Sequence, residues 1–321
     1  MTVAACPAQS SSAVRQVRFL DNDMGFAPGC PASDPHGELH ELRDCNALLA
    51  DRAALHERFR EDGYLLIRGL QPRDQVLAAR EQMLAILDQA ERIDRSHPLG
   101  EGWIAAGAGG SFRGGMSDAP LFRPIVESRQ IMDFFAHFLG GEPMTFDFKW
   151  TREVGTGDAT GAHLDAVYMG RGTPNLFTCW TPWGDLTLDQ GTLAILVGSH
   201  RLPAWEKVHQ TYGKMDVDRD HVAGWFSNDP RHLTTTYGGQ WATTEFRAGD
   251  VLVFGMRTIH ASLTNTTRTF RLSSDTRYQL ASDPIDERWV AKAGKPPIGH
   301  YAWQQGEQVP MEIKKKEWGL A

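Results

Sequence analysis

The first half of the chain repeats apolar residues at helical spacing. Residues 47–62 and 72–90 each predict an amphipathic helix, and the second opens with a proline, as helices often do. Between them, residues 63–70 form a short apolar run typical of a buried strand. Residues 120–141 predict a further helix that stops at paired glycines. Residues 103–115 carry five glycines in their last nine positions, which predicts a loop.

Beyond residue 140 the pattern changes to short apolar runs separated by Gly, Pro, Asn and Asp. These runs occupy residues 144–154, 175–183, 191–198, 243–255, 259–265 and 268–280. Their spacing predicts an antiparallel sandwich or barrel rather than alternating strands and helices. Residues 201–241 contain several aromatic residues without a clear period, which is typical of a lid, a substrate wall or a subunit contact.

The pattern also predicts how the chain is divided. Residues 1–45 are rich in small and polar residues without a sustained period, so we expect an irregular N-terminal arm. A single domain should follow over residues 46–321. We expect it to consist of a helical part (46–140), a β core (141–282) interrupted by the insertion 201–241, and a C-terminal tail (283–321).

Composition and charge narrow the function classes. The 321 residues are 41% hydrophobic, which excludes a mainly disordered chain. The 33 basic and 40 acidic side chains give a net charge of −7, which argues against a nucleic-acid partner and favours a small-molecule ligand. The sequence shows neither a membrane-length apolar run nor a signal-peptide pattern, so we expect a soluble, cytoplasmic protein without a membrane partner. Cys179 lies in an apolar run and should be a buried packing residue.

One short motif suggests a metal site. His163 and Asp165 are two residues apart, and in an extended strand such residues project from the same face. A His-x-acid pair arises easily by chance, and it recurs here as His36 and Glu38. His36 lies in the predicted arm, whereas His163 precedes the predicted core strands, so the second pair is the better candidate.

A third ligand and an anion site complete the hypothesis. His260 follows a predicted core strand, and closure of a barrel could bring it to His163 and Asp165. Two imidazoles and one carboxylate suit Fe(II) that must also bind a chelating cosubstrate and O₂, whereas a zinc hydrolase would keep fewer open positions. Arg271 could bind the carboxylate of the cosubstrate, with Ser262 as a further donor.

Arg277 is a rival for the role of Arg271. Asp275, two residues before it, offers it a structural partner on the same strand face, which favours Arg271 as the anion-binding residue.

Taken together, these motifs resemble a known family. The segments 163–165, 180–201 and 248–271 are similar to those of the phytanoyl-CoA 2-hydroxylase-like branch of the Fe(II)/2-oxoglutarate oxygenases, and residues 59–70 resemble its N-terminal element. The resemblance extends from about Leu55 to Leu280. It implies a mainly β protein with flanking α-helices, built on a double-stranded β-helix (jelly-roll or cupin-like) core.

The resemblance also implies a chemistry and a ligand set. Iron is expected on His163, Asp165 and His260, and 2-oxoglutarate on Arg271 and Ser262. The implied enzyme is an Fe(II)- and 2-oxoglutarate-dependent dioxygenase. It would use O₂ to oxidise, most often hydroxylate, a small organic molecule of secondary metabolism and would release succinate and CO₂.

Further residues are assigned by position in the resemblance. Trp180 corresponds to a tryptophan that lines the cosubstrate pocket, and Lys149 and Arg113 are the candidates for a polar residue that assists 2-oxoglutarate or substrate. Tyr168 and Met169 lie where relatives place substrate walls. With Arg277 they form the candidate substrate set, whereas His200 matches a family turn and is not expected to be a ligand.

The residues also allow two other functions. A jelly-roll protein could bind a metal or small molecule without turnover, or a cupin-like isomerase could use another divalent ion. The complete set of His163, Asp165, His260 and Arg271 favours the oxygenase, because a mere binding protein has no need of a 2-oxo acid anchor.

Overall fold

Two six-stranded sheets form the centre of the molecule, as seen in a computed structural model that describes residues 14–29, 38–108, 115–301 and 306–321. The strands are β1 (Arg15–Phe19), β2 (Asn22–Ala27), β3 (Leu39–Glu41), β4 (Tyr64–Ile67), β5 (Pro143–Thr145), β6 (Trp150–Val154), β7 (Phe177–Pro182), β8 (Leu193–Val197), β9 (Gln240–Thr243), β10 (Val251–Gly255), β11 (His260–Ser262) and β12 (Arg271–Leu280). The first sheet has the order β1-β2-β3-β9-β8-β11. The second has the order β4-β10-β7-β12-β5, with β6 also paired to β12.

The described helices are α1 (Arg52–Asp62), α2 (Arg73–Gln89), α3 (Phe122–Val126), α4 (Arg129–Leu139), α5 (Ala166–Met169), α6 (Glu206–Gln210), α7 (Val217–Asp220), α8 (Pro230–Tyr237) and α9 (Met311–Trp318). The helices α1 and α4 contact each other, and α4 also contacts β12. The fold is therefore mainly β with flanking helices, and the predicted double-stranded β-helix core is confirmed.

Alternation along β12 separates the inside of the barrel from its helix-covered outside. Leu272 and Tyr278 pack among the flanking helices, and Tyr278 stacks on Phe135 of α4 with ring centroids 4.1 Å apart. Arg271 and Arg277, an odd number of residues from these, point the other way, because successive strand side chains project to opposite faces. This alternation places a row of polar side chains inside the barrel.

Phe135 provides a test of this packing. Its side chain is fully buried between helix and sheet. We expect Phe135→Ala to lower the free energy of unfolding by about 3–4 kcal/mol, because burial and ring stacking are lost and a cavity remains. Urea unfolding followed by circular dichroism measures the change. Ile313→Ala, at a side chain 50% exposed, is the control and should change it by less than about 0.5 kcal/mol; equal losses would contradict this packing.

The N-terminal segment differs from the irregular arm expected for residues 1–45. Its described part holds β1, β2 and β3, which extend the first sheet beyond β9. The strand β1 buries Val17 and Phe19 and exposes Arg18, an alternation too short to stand out against the surrounding Ser, Ala and Pro. The expectation is thus wrong for this part of the segment, because pairing with β9 supplies the order that local composition lacks.

Two other boundaries also differ from the pattern. The helix expected over residues 120–141 is divided into α3 and α4, because the Ser128 hydroxyl accepts a hydrogen bond from the Ile131 amide (3.4 Å) and caps a new helix. The strand expected over residues 144–154 is likewise divided into β5 and β6. No helix within the described ranges is both long and apolar enough to cross a membrane.

Candidate metal and cosubstrate site

The backbone joins the two candidate histidines. His163 and His260 form an isolated antiparallel bridge, with N–H to O distances of 3.0 and 3.1 Å in the two directions. His260 begins β11, while His163 comes shortly before α5. The bridge brings the two imidazole rings to a centroid separation of 4.1 Å, so residues far apart in the sequence meet as barrel closure predicted.

Hydrogen bonds orient both imidazoles toward one point. The Nδ1 atom of His163 lies 2.8 Å from the carbonyl oxygen of Gly161, and that of His260 lies 3.0 Å from the carbonyl oxygen of Thr258. Since a carbonyl oxygen only accepts, Nδ1 carries the proton in each ring and Nε2 presents a lone pair. Asp165 Oδ1 lies 3.9 Å from Nε2 of His163 and 3.8 Å from Nε2 of His260.

The three side chains have the donor set of a facial metal site. All three are buried, and their ligand atoms lie within 4.8 Å of one another. Burial and the neighbouring imidazole of His260 lower the pKa of His163 to about 3, so that ring is neutral and able to bind a metal at neutral pH. The chemistry of this donor set fits Fe(II) with open positions for further ligands.

The second oxygen of Asp165 is held by the protein. Asp165 Oδ2 accepts a short hydrogen bond from the Thr178 hydroxyl and lies 3.2 Å from Nη2 of Arg277. Burial alone would raise the pKa of Asp165, but Arg277 and the two imidazoles outweigh burial and hold that pKa below its usual range. The carboxylate is thus ionised and oriented, with Oδ1 directed to the imidazoles.

Arg271 is a buried cation with no carboxylate at ion-pair distance among the described residues. It is 1% exposed, and its Nη1 donates to the Ser273 hydroxyl at 3.1 Å. Its Nε and Nη2 atoms have no hydrogen-bond partner among the described residues. Burial lowers the pKa of Arg271 to about 10. A buried guanidinium with free donors is the feature expected of a site that receives an anionic ligand.

Two other predicted cosubstrate residues also lie in buried positions. The Trp180 ring centroid is 6.0 Å from the Arg271 guanidinium carbon, and its Nε1 has no partner within the described part of the chain. The Ser262 hydroxyl accepts a bond from the Thr160 amide at 2.8 Å, which leaves its own proton to donate. Both side chains are fully buried, so the cosubstrate hypothesis agrees with their placement.

The prediction that Arg277 pairs with Asp275 is wrong. Asp275 accepts from Nε of Arg152 at 2.6 Å, a residue on the neighbouring strand β6. Arg277 instead pairs with Asp165 and lies 3.0 Å from the sulfur of Met169. A position on the same strand face could not distinguish these pairings, because the competing partners come from other elements.

The remaining candidates are placed less favourably. The Lys149 ammonium donates to the Thr145 hydroxyl at 2.7 Å and lies 3.2 Å from a Glu127 carboxylate oxygen, so it is already paired. His200 lies 2.9 Å from the Arg60 carbonyl oxygen through its Nε2 and lies apart from the metal cluster. Arg113 lies outside the described residues.

An open cavity of about 640 Å³ adjoins the cluster, lined by both His163 and Asp165. Tyr168 and Met169, the two predicted substrate-wall residues, contribute to its wall, and their role toward a substrate stays a prediction. The same space is lined by six residues that were not among the candidates: Phe148, Trp150, Arg152, Trp225, Ile298 and His300. Exposed aromatic residues in the insertion were the available signal for Trp225, but no local pattern indicates that residues 297–300 of the tail return to the site.

A hydroxylase is similar to this chain over most of its length. The chain is 29% identical over 264 residues to 1-deoxypentalenic acid 11-beta-hydroxylase of Streptomyces exfoliatus, a match that covers 76% of this chain and 87% of the relative. That relative is a hydroxylase by name.

Solved structures show the same fold. EctD from S. alaskensis in its apoform aligns with a TM-score of 0.54 and 16% identity over 87% of this chain and 93% of that one. The epimerase SnoN, solved with Fe³⁺, α-ketoglutarate (2-oxoglutarate) and nogalamycin RO, aligns with a TM-score of 0.53 and 18% identity over 81% of this chain and 98% of that one.

The family follows from a match that spans most of the chain. The model of the phytanoyl-CoA dioxygenase family matches residues 59–273, which include the metal-site cluster and Arg271. This confirms the resemblance inferred from the motifs. The chain therefore belongs to the phytanoyl-CoA dioxygenase family of iron- and 2-oxoglutarate-dependent oxygenases.

Proposed function

We propose that His163, Asp165 and His260 hold Fe(II) and that Arg271 binds the distal carboxylate of 2-oxoglutarate, assisted by Ser262 and Trp180. The observation that carries the proposal is that one barrel contains both a buried His-Asp-His cluster and a buried guanidinium for which the described part of the chain provides no carboxylate partner. Anion binding would supply the charge partner that Arg271 lacks.

Backbone and side-chain groups of the protein orient the proposed metal ligands before any substrate arrives. The Gly161 and Thr258 carbonyls fix the tautomers of the two imidazoles, and Thr178 with Arg277 fixes Asp165. When bound, iron and 2-oxoglutarate would activate O₂ as the oxidant, and 2-oxoglutarate would be converted to succinate and CO₂.

We further propose that the substrate is a small organic molecule and that the reaction is a hydroxylation. The cavity of about 640 Å³ suits such a molecule, and its wall includes Tyr168 and Met169. The hydroxylase from S. exfoliatus and the enzyme SnoN from nogalamycin biosynthesis favour a role in secondary metabolism. Lys149 is less suited to bind 2-oxoglutarate because it already has two partners.

Substrate-dependent succinate release tests this function. The protein, supplied with Fe(II), 2-oxoglutarate and O₂, is incubated with a library of small molecules, and products are examined by mass spectrometry for the gain of one oxygen atom. We expect some library members to stimulate succinate release and to be hydroxylated. The Asp165→Ala variant, assayed in parallel, should release no succinate above the protein-free background.

Two outcomes would contradict the proposal. Binding of library members without any succinate formation would favour a binding protein. Rearranged products without consumption of 2-oxoglutarate would favour a cupin-like isomerase.

A further inference from the structure

Four cationic side chains line the cavity beside the metal cluster: Arg123, Lys149, Arg152 and Arg277. Arg123 is occupied by the Glu127 carboxylate at 2.9 Å and the Asp147 carbonyl at 2.8 Å, and Lys149 shares the same Glu127.

Arg277 is only partly committed. It is 2% exposed and its Nη2 is paired with Asp165, but its buried Nη1 has no hydrogen-bond partner among the described residues. Because its side chain is 3% exposed, Arg277 offers far less surface to a ligand in the open cavity than Arg152, whose side chain is 37% exposed.

Arg152 differs from the other three. Its Nε donates to Asp275 at 2.6 Å, but within the described parts of the chain its two Nη atoms have no hydrogen-bond partner. Its side chain is 37% exposed, which leaves the end of the guanidinium accessible. Asp275 thus fixes one edge of the planar group, and the edge formed by the two Nη atoms is free to receive a carboxylate in a bidentate contact.

Arg152 differs in exposure from Arg271, the proposed 2-oxoglutarate anchor, although its charge is near enough to lower the pKa of Arg271. On β6 it lies opposite Ser273 of β12, and it lines the cavity together with His163 and Asp165. Arg271, in contrast, is 1% exposed and is not among the cavity-lining residues. The barrel therefore presents one guanidinium in its closed interior and another in the open space beside the metal-site cluster.

Apolar side chains form part of the cavity wall, and polar and charged side chains form the rest. The apolar part includes Trp150, Tyr168 and Met169. Trp225 and Ile298, which also line the cavity, are 45% and 72% exposed, so apolar surface continues outward from the site. A ligand with one anionic group on an apolar body matches the free guanidinium edge together with this part of the wall.

We propose that Arg152 binds the carboxylate of the organic substrate and that the enzyme therefore acts on an apolar carboxylic acid. This inference rests on the proposed function for the identity of the reaction, but not for the binding step itself. Arg152, held by Asp275, positions the acid in the cavity so that a carbon of its apolar body faces the cluster of His163, Asp165 and His260.

Binding of a matched pair of probes tests the proposal. Adamantanecarboxylate and adamantanecarboxamide have the same apolar body, but only the first carries a charge. Their dissociation constants are measured by calorimetry on the full chain, both metal-free and loaded with Ni(II) and 2-oxoglutarate. We expect the wild-type protein to prefer the acid, and Arg152→Gln to weaken acid binding by about tenfold or more while amide binding changes less than about twofold.

Arg123→Gln is the matched control, because it removes a cavity arginine whose guanidinium is already occupied. It should leave acid and amide binding within about twofold of the wild type. Thermal unfolding of each variant verifies that it is folded, and Arg152→Lys provides a second variant that keeps the charge but loses the planar fork. This lysine variant should bind the acid more weakly than the wild type and more tightly than Arg152→Gln.

Several results would overturn the proposal. These are a wild-type protein without preference for the acid, an equal loss of acid and amide binding in Arg152→Gln, and a loss confined to 2-oxoglutarate affinity, which would assign Arg152 to the cosubstrate. Failure of the protein to bind Ni(II) and 2-oxoglutarate would instead contradict the proposed function. The metal-free titration still reports on Arg152 in that case, so the two failures are distinguishable.

Discussion

Alanine in place of Asp165 is expected to abolish the stabilisation of this protein by Ni(II) and 2-oxoglutarate. Asp165 supplies the one carboxylate of the proposed metal site, and its loss leaves two imidazoles that cannot hold the metal and its chelate tightly. A ligand present at about a hundred times its dissociation constant stabilises the native state by about 2.7 kcal/mol. The wild-type protein should show a rise in Tm of corresponding size, and the variant none.

Thermal unfolding with and without the two ligands measures this effect. Asp165→Ala also leaves the buried Arg277 without its carboxylate, so the variant should be less stable than the wild type even without metal, by about 3 kcal/mol. Each variant is therefore compared with its own ligand-free Tm. Asp147→Asn, which removes another cavity carboxylate outside the cluster, is the control and should keep the full stabilisation. A ligand-induced rise in Asp165→Ala equal to that of the wild type would contradict the assignment.

Methionine in place of Arg271 is expected to weaken 2-oxoglutarate binding by about a hundredfold, or about 2.7 kcal/mol, because a buried charge-assisted contact to the distal carboxylate is lost. The loss of affinity should depend on the distal carboxylate of the ligand. The wild-type protein should therefore prefer 2-oxoglutarate strongly over 2-oxobutyrate, which lacks the distal group, and Arg271→Met should bind the two nearly equally.

The stability of Arg271→Met gives an independent readout. The guanidinium is buried without a counter-charge, and its Nε and Nη2 have no partner among the described residues. An apolar side chain of similar length should therefore leave the ligand-free protein at least as stable as the wild type. Calorimetric titration of both 2-oxo acids and thermal unfolding of the ligand-free variant measure these effects. A variant that keeps the wild-type discrimination would exclude Arg271 as the anchor.

The sequence predicted that His163, Asp165 and His260 meet, and the structure brings them together. His260 begins β11 after a strong apolar run, as expected, but His163 forms only an isolated bridge and Asp165 is the N-cap of α5, so the extended strand assumed for this pair is not present. Arg271 begins β12, the strand that follows His260 in the sequence, and its position inside the barrel was predicted from the same pattern of strands. These inferences depend only on alternation and on the order of strands.

The parts that escaped prediction depend on contacts between distant segments. Asp275 pairs with Arg152, and Arg277 pairs with Asp165. These partners lie on different strands and a loop, so no pattern along one strand predicts the pairing. The short strands β1–β3 gain their order from pairing with β9. The return of residues 297–300 to the cavity is likewise fixed by tertiary packing, which local propensity cannot show.

One buried cluster and one buried guanidinium are proposed to hold Fe(II) and 2-oxoglutarate jointly. Anaerobic titration of the metal-free protein with Fe(II) and then 2-oxoglutarate measures this binding through the visible charge-transfer absorption of the chelate. We expect the absorption to develop fully at one Fe(II) and one 2-oxoglutarate per chain, and to be absent in Asp165→Ala. Binding of Fe(II) without the absorption, or absorption that persists in Asp165→Ala, would show that these residues do not form the site.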